Sequence, residues 1–158
     1  MTPRIPTLQE FLVYKGAHTH RLWEQVGPLW ICPSCKRTKF QVLRWTTRNP
    51  NTSHAFKDWI APLHKHHDHS GGFMSDAKSR FPETIICDQC NAADGAAKRK
   101  LKLPKLFSFS RSEIAVFVVA TPHGKHTIDY EIANAIFQAI NLSSPVAHKW
   151  PHSSSETT

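Results

Sequence analysis

The sequence predicts an α+β fold in which a small core of short strands and one helix is flanked by N- and C-terminal helices. The chain has 158 residues, a length typical of one domain with appendages. Two short apolar runs, Leu29–Ile31 and Thr84–Ile86, each lead directly into a Cys-X-X-Cys pair, as short strands bounded by turns do. Helical patterns lie at the two ends of the chain and after the second cysteine pair.

Composition excludes several classes of protein. Hydrophobic residues make up 40% of the chain and charged residues 20%, which is enough to build a core and excludes wholesale disorder. No apolar run approaches the ~18 residues that a membrane helix needs, and a signal-peptide pattern is not found. The 20 basic residues outnumber the 12 acidic ones, for a net charge of +8. We therefore expect a soluble, cytosolic protein with a polyanionic partner and no membrane association.

The N-terminal arm, residues 1–29, is predicted to be helical. Thr7 and Glu10 have the spacing of a capping box at the start of an amphipathic helix. A second short helix is predicted from Thr19 to Val26 and ends at the Gly27-Pro28 breaker.

The core segment, residues 30–107, is predicted to open with a hairpin whose second strand is Phe40–Trp45. The segment His54–Ile60 is predicted to form one or two helical turns that end at Pro62. The Ala- and Lys-rich segment Asn91–Leu101 is predicted to be a helix.

Helices are also predicted over residues 108–142. Ser110 and Glu113 have the spacing of another capping box. The last helix is indicated by isoleucines four residues apart, at Ile128, Ile132, Ile136 and Ile140. Its apolar stripe is a candidate face for the core or for a homodimer, and residues 143–158 are predicted to be a disordered tail.

The four cysteines form two Cys-X-X-Cys pairs, Cys32/Cys35 and Cys87/Cys90, with 51 residues between them. Each pair places two thiolates on one side of a tight turn, and two such turns complete the tetrahedral shell of a Zn²⁺ ion. Because four protein ligands close that shell, the predicted Zn²⁺ is structural. A redox disulfide would use one pair and leave the other unexplained.

Between the cysteine pairs lies the densest polar cluster of the chain. It comprises His64, His66, His67, Asp68 and His69. Alternate residues of an extended strand share a face, which pairs His67 with His69. His66 and Asp68 then face the other way. Such a group favours a metal site over isolated structural histidines.

Side-chain oxygens also stand at the start of the helix that follows the second cysteine pair. Asn91 and Asp94 are three residues apart, so they share a helix face and could both meet a hard cation. With histidines on a strand and Asn on the helix, the segment is predicted to be a zinc-clamped ββα-metal unit.

The sequence here resembles a known family. It is similar to the HNH (His-Me finger) nucleases, and most of all to the phage recombination endonuclease VII family, which resolves branched DNA. Two motifs carry the resemblance: residues 64–69, and the run Cys-X-X-Cys-Asn-Ala-Ala-acid-Gly-X-X-Lys-basic-Lys from Cys87 to Lys100. With the upstream pair, it covers residues 30–103, about half of the chain.

The resemblance implies an endonuclease that hydrolyses DNA phosphodiester bonds with a His general base and one Mg²⁺ or Mn²⁺ ion. Carried over by position, His66 is a metal ligand, His67 is the base and His69 supports it or contacts phosphate. Asn91 is the second metal ligand, and Asp94 matches an acidic residue of the family. The resemblance also implies branched or junction DNA as substrate, and the cytoplasm of a bacterial or phage-infected cell.

The sequence departs from the family at His66, where the family has Asp. Imidazole suits Mn, Ni or Zn better than Mg, so the metal preference stays open. In an alternative register, Asp68 is the ligand and His69 is the base, as in other HNH proteins.

Basic residues crowd on and after the helix that carries Asn91. We expect phosphate contacts, and a binding affinity that falls steeply with salt, from this group. It comprises Lys98, Arg99, Lys100, Lys102 and Lys105.

Two other functions fit parts of the sequence. Residues 64–72 satisfy His-X-His-X-Asp-His-X-Gly-Gly, the signature of metallo-β-lactamase-fold hydrolases. That fold needs a longer αββα sandwich and leaves both cysteine pairs unexplained. A non-catalytic zinc-ribbon DNA-binding protein would use the cysteines and the basic run but would not need the histidine cluster.

Overall fold

The computed structural model describes residues 2–48, 56–68 and 79–143. The helices are α1 (Leu8–Val13), α2 (His20–Gln25), α3 (Lys39–Val42), α4 (Asp88–Lys100), α5 (Arg111–Phe117) and α6 (Tyr130–Ser143). The strands are β1 (Arg44–Arg48), β2 (Phe56–Ile60), β3 (Leu63–His66), β4 (Thr84–Cys87), β5 (Val118–Val119) and β6 (Thr127–Ile128). The described strands pair antiparallel as three separate two-stranded sheets, β1–β2, β3–β4 and β5–β6. The prediction of a mixed α+β fold is confirmed, and these small sheets are not the αββα sandwich of the metallo-β-lactamase fold.

The predicted capping boxes are present. Glu10 N donates to Thr7 Oγ1 at 3.1 Å, and Thr7 N donates back to Glu10 Oε1 at 3.0 Å.

A short 3₁₀ turn, Ala17–Thr19, then leads into α2. It follows Gly16, whose φ is +88° and whose added Cβ would lie 2.6 Å from the Cβ of Trp23. This turn requires glycine, and it returns the chain so that Trp23 is buried.

The prediction of a strand over Phe40–Trp45 is wrong at its start. Ile31 and Thr38 form an isolated antiparallel bridge, but the next four residues form α3. Thr38 caps this turn, because its side chain accepts from Gln41 N and its backbone N–H donates to Gln41 Oε1 at 2.9 Å. This Thr-X-X-Gln box favours a helical start over the extended conformation that the apolar pattern predicts.

The prediction of helical turns over His54–Ile60 is also wrong for the described part, which is strand β2. Residues 49–55 lie outside the described residues. Trp59 pairs directly with Trp45 of β1, with ring centroids 5.2 Å apart in an edge-on arrangement. Such cross-strand aromatic pairs stabilise a two-stranded sheet, and the pairing overrides the local helical pattern.

The last helix begins two residues after Ile128, which belongs to β6 and pairs with Val118. The fully buried positions of α6 are Ala133, Phe137 and Asn141, whereas Ile132 is 38% exposed. The apolar stripe therefore faces the core, but it is centred one position further along the chain than the isoleucine spacing predicts. Ser143, the first residue of the predicted disordered tail, is instead the last residue of α6, and residues 144–158 lie outside the described residues.

The core runs without interruption from the cysteine pairs to the C-terminal helices. Ala93 and Ala97 of α4 are buried in the same cluster as Phe107. Phe107 meets Phe109 at 4.8 Å and Phe137 at 4.9 Å between ring centroids, both edge-on. This packing holds α5 and α6 against the helix that follows β4.

Candidate metal centre

The cysteine cluster is built from two tight turns that meet at the end of a hairpin. In the first turn, Lys36 adopts a left-handed φ of +65°, and its N–H donates to the Cys32 carbonyl at 2.9 Å. In the second turn, Cys87 ends β4 and serves as the N-cap of α4, and Cys90 follows in the first helical turn. Each pair is therefore held by local backbone geometry before any metal is considered.

The four thiols converge as a tetrahedral site requires. The Sγ atoms of Cys35 and Cys87 are 3.8 Å apart, and those of Cys32 and Cys90 are 3.9 Å apart. All four lie within 4.8 Å of one another and none is in a disulfide. A tetrahedron with Zn–S bonds of ~2.3 Å has sulfur atoms ~3.8 Å apart, so the donor set fits zinc. The four cysteines could thus hold a structural metal such as zinc, as predicted.

Two further side chains, the Arg37 guanidinium and the His126 imidazole, contact these thiols. Arg37 is 4% exposed and donates from Nε to Cys35 Sγ and from Nη2 to Cys87 Sγ, each at 3.3 Å. His126, from the loop between β5 and β6, has its Nε2 3.2 Å from Cys90 Sγ. Neither residue belongs to a motif, and His126 is 36 positions from the nearest cysteine. The position of Arg37 two residues after a cysteine is the only local signal.

Contacts among the thiols, Arg37 and His126 shift pKa values in this cluster. The hydrogen bond with Cys32, the largest influence in each case, lowers the pKa of the Cys35 thiol but raises the pKa values of the Cys87 and Cys90 thiols. Burial, the largest influence on His126, lowers its pKa, but hydrogen bonding to the thiols of Cys35 and Cys87 raises it overall. The buried Arg37 guanidinium suits a metal with four Cys⁻ ligands, because that centre would carry a net negative charge.

The predicted strand–loop–strand–helix order is present around the cluster. β3 pairs antiparallel with β4, Leu63 opposite Cys87 and His66 opposite Thr84, and α4 starts at the next residue after β4. His64 of β3 contacts Asp88 of α4 directly, whereas His66 of β3 and Asp94 of α4 both contact the backbone of Phe109. We call this contact the strand–helix interface and define it by His64 and His66 of β3 with Asp88 and Asp94 of α4.

At one end of the strand–helix interface, His64 Nε2 donates to Asp88 Oδ1 at 3.1 Å. Arg44 donates to the other oxygen of Asp88, also at 3.1 Å. Burial, the largest influence on Asp88, raises its pKa, but the hydrogen bonds from His64 and Arg44 hold the pKa below its usual value. Neither Asp88 nor Arg44 was predicted to be a site residue from the sequence.

At the other end, His66 and Asp94 both bind the backbone of Phe109. His66 Nε2 donates to the Phe109 carbonyl at 2.5 Å, and the Phe109 N–H donates to Asp94 Oδ1 at 2.8 Å. Asp94 Oδ2 pairs with Lys98 Nζ at 3.1 Å. Both side chains are over nine-tenths buried. Two predicted ligands of a catalytic cation are thus brought close to the same residue, but His66 Nε2 and Asp94 Oδ1 bind its backbone and Asp94 Oδ2 binds Lys98.

The other predicted site residues lie around this interface. His67 is exposed just beyond β3, and its Nδ1 donates to the Lys65 carbonyl at 3.3 Å. Asp68 is 8% exposed and accepts from the backbone N–H of Arg80. Asn91 is half-buried in the first turn of α4. His69 lies outside the described residues.

Within residues 2–48, 56–68 and 79–143, the cysteine cluster is the single group of three or more His, Cys, Asp or Glu side chains close enough to hold an ion. His66, Asp68 and Asp94 do not form a second such group. The predicted Mg²⁺ or Mn²⁺ site, which also includes Asn91, is therefore not supported by this grouping and stays a prediction.

The predicted DNA-binding residues differ in their exposure and in their contacts. Lys98 is tied to Asp94 and also reaches Ser108 Oγ at 3.3 Å. Lys100 Nζ lies 5.9 Å from the centroid of the Tyr130 ring. The exposed members are Arg99, Lys100, Lys102 and Lys105. These four side chains form a basic surface at and beyond the C-terminal end of α4.

None of the described helices is both long and apolar enough to cross a lipid bilayer. Comparison of the chain with protein-family models, with curated proteins and with solved structures finds no match in any of the three.

Proposed function

We propose that this chain is an HNH-type DNA endonuclease whose ββα unit is held by zinc at the cysteine cluster. The observation that carries the proposal is the β3–β4 hairpin running directly into α4, with the thiols at their junction. This order sets His67 just after β3 and Asn91 in the first turn of α4, which are the positions that the resemblance assigns to the base and to a metal ligand.

The environment of His67 suits a general base. A carbonyl oxygen can only accept, so the contact with Lys65 places the imidazole proton on Nδ1. In its neutral form the ring would then have its lone pair on Nε2, the atom that would take a proton from water in the proposed hydrolysis. Its exposure gives a DNA phosphate access to this ring.

Binding energy would come from the basic surface at the end of α4. Arg99, Lys102 and Lys105 are exposed there, and each phosphate that such a group neutralises releases counterions. Lys98 contributes less, because Asp94 already neutralises it.

The catalytic cation is the part of the proposal that the strand–helix interface supports least. A bound Mg²⁺ or Mn²⁺ would relieve charge on the scissile phosphate. His66 and Asp94 are held by Phe109, so we assign no step to a cation bound by this pair. The register with Asp68 as ligand and His69 as base stays a prediction.

The contacts of His66 and Asp94 with Phe109 favour a second function, that of a non-catalytic zinc-ribbon DNA-binding protein. If His66 and Asp94 serve only to hold the backbone of Phe109, these two side chains are structural. The cysteine cluster and the basic surface would then account for DNA binding without hydrolysis.

A cleavage assay separates the two functions. Wild type is incubated with junction, flap, linear duplex and single-stranded DNA in Mg²⁺, Mn²⁺ or EDTA. Under the endonuclease proposal, wild type cleaves in at least one metal, and His67→Ala loses cleavage by a factor on the order of 10²–10⁴ while it still binds DNA. The matched control is His18→Ala, which removes an exposed histidine of the 3₁₀ turn and should cleave as wild type does.

Salt-sensitive DNA binding with no cleavage in either metal would establish the second function. Full cleavage by His67→Ala, with loss in His69→Ala, would move the base to the alternative register. A binding affinity that salt does not change would exclude the basic surface from both functions.

A further inference from the structure

The loop between β5 and β6, residues 120–126, closes over the cysteine cluster although no sequence motif reaches it. Two of its carbonyls accept hydrogen bonds from Arg37 Nη1, that of Thr121 at 2.9 Å and that of Gly124 at 3.3 Å. The loop therefore binds Nη1, the guanidinium nitrogen of Arg37 that does not donate to a thiol.

Arg37 connects two partners with one rigid group. Its Nε and Nη2 face the thiols of Cys35 and Cys87, and its Nη1 faces the two loop carbonyls. A guanidinium is planar and presents its donors in a fixed fork, so the position of the thiols determines where Nη1 points. Arg37 is 4% exposed, which leaves little room for another orientation.

The loop reaches the cluster a second time through His126. Its Nε2 contacts Cys90 Sγ at 3.2 Å, and its backbone N–H donates to Gln89 Oε1 at 3.2 Å, beside that cysteine. Two independent contacts, one through Arg37 and one through His126, therefore join one loop to three of the four thiols.

We infer that Arg37 and His126 are positioning residues that couple metal binding at the cysteine cluster to the docking of the C-terminal segment, residues 118–143. A divalent metal with four thiolate ligands leaves a net charge of about −2 in a buried place, and such charge needs nearby cations. The metal fixes the thiolates, the thiolates fix Arg37, and Arg37 fixes the loop from which β6 and α6 continue. The coupling is reciprocal, so a docked loop strengthens metal retention.

This inference depends on metal binding at the cysteines and is independent of nuclease activity. Zn²⁺ affinity is measured by competition with a chromogenic chelator, and amide hydrogen exchange is measured on zinc-saturated protein. For Arg37→Met, we expect zinc affinity to fall by about 10–100-fold, as outer contacts of metal ligands do when removed. Amides 118–128 should exchange faster in the saturated variant, whereas those of α4 should keep their protection.

Three further variants sharpen the test. Arg37→Lys keeps the charge but cannot bridge, so we expect it to loosen the loop while losing less zinc affinity than Arg37→Met. His126→Ala removes the second contact and should shift both readouts in the same direction; it carries the test if Arg37→Met does not fold. Lys125→Met is the matched control, because it removes an exposed charge from the same loop and should match wild type.

Wild-type zinc affinity in both Arg37→Met and His126→Ala overturns the coupling. Weakened zinc binding with unchanged protection of amides 118–128 also overturns it, because Arg37 would then act on the metal alone. A wild-type chain that binds no Zn²⁺ overturns the metal site and this inference together.

Discussion

The cysteine cluster and the strand–helix interface both contain side chains that can bind a metal, but only in the cysteine cluster do all of those side chains face one another. At the cysteine cluster, the four thiols point at one another, with separations of 3.8 and 3.9 Å across it. At the strand–helix interface, the polar groups do not converge on one point. His64 binds Asp88, while His66 binds the carbonyl of Phe109 and Asp94 binds its N–H.

The difference between these two regions shows when sequence spacing is sufficient to predict a metal site. A Cys-X-X-Cys turn fixes two thiols relative to each other within four residues, and two such turns need only meet once to make a metal site. Histidines on a strand alternate between faces, so each finds its partner in whatever element packs there. The relative positions of the thiols in each pair are thus set by local sequence, whereas the partners of the histidines are set by tertiary packing.

Removing the metal is expected to have the largest effect. A structural Zn²⁺ contributes about 10–16 kcal/mol in zinc-finger peptides, which matches or exceeds the ~5–15 kcal/mol stability of a typical domain. We expect one Zn²⁺ per chain by elemental analysis, and loss of the cooperative melting transition in circular dichroism after a strong chelator or in Cys90→Ser. The exposed Ser112→Ala serves as the control and should melt as wild type does. A metal-free protein with an unchanged melting transition would show that the cysteine cluster, like the strand–helix interface, does not need a metal to fold.

Truncating Asp94 is expected to have an intermediate effect. Asp94→Ala leaves the N–H of the buried Phe109 without its acceptor, which costs about 1–3 kcal/mol in urea unfolding. Asp94→Asn keeps an acceptor oxygen and loses the ion pair with Lys98, so it should cost less. If Asp94→Asn instead abolished cleavage and left the free energy of unfolding unchanged, Asp94 would be a cation ligand and the interface would resemble the cysteine cluster.

The smallest expected effect is the pH dependence that Asp88 contributes. Its pKa is lower in the folded protein, so its stabilisation is present above the unfolded value of ~3.9 and is lost as the pH falls through the folded pKa. Asp88→Asn should remove this acid-induced loss, and the difference should be about 1 kcal/mol or less because the carboxylate is partly exposed. Urea unfolding at neutral pH and below the unfolded value checks it, with exposed Asp58→Asn as the charge-matched control. A variant whose stability falls as much as that of wild type over this window would contradict the Asp88 contacts.

Predictions that depend on a few neighbouring residues agree with the structure. The capping boxes at Thr7 and Ser110 are present, as is the helix after the second cysteine pair. Both capping boxes are closed by hydrogen bonds within one helical turn. The two wrong strand and helix predictions concern apolar segments, α3 and β2. In α3 a Thr-X-X-Gln cap decides the conformation, and in β2 the partner strand decides it.

The sequence by itself determined the two cysteine turns, the order strand–strand–helix and the basic surface at the end of α4, because spacing and local hydrogen bonds are properties of short segments. Only the tertiary structure decided that His66 and Asp94 bind the backbone of Phe109, and that Arg37 joins the thiols to a loop more than 80 residues away. Those contacts arise where distant segments pack together, and a buried polar group binds the nearest available partner because leaving it unpaired costs more than any local preference supplies.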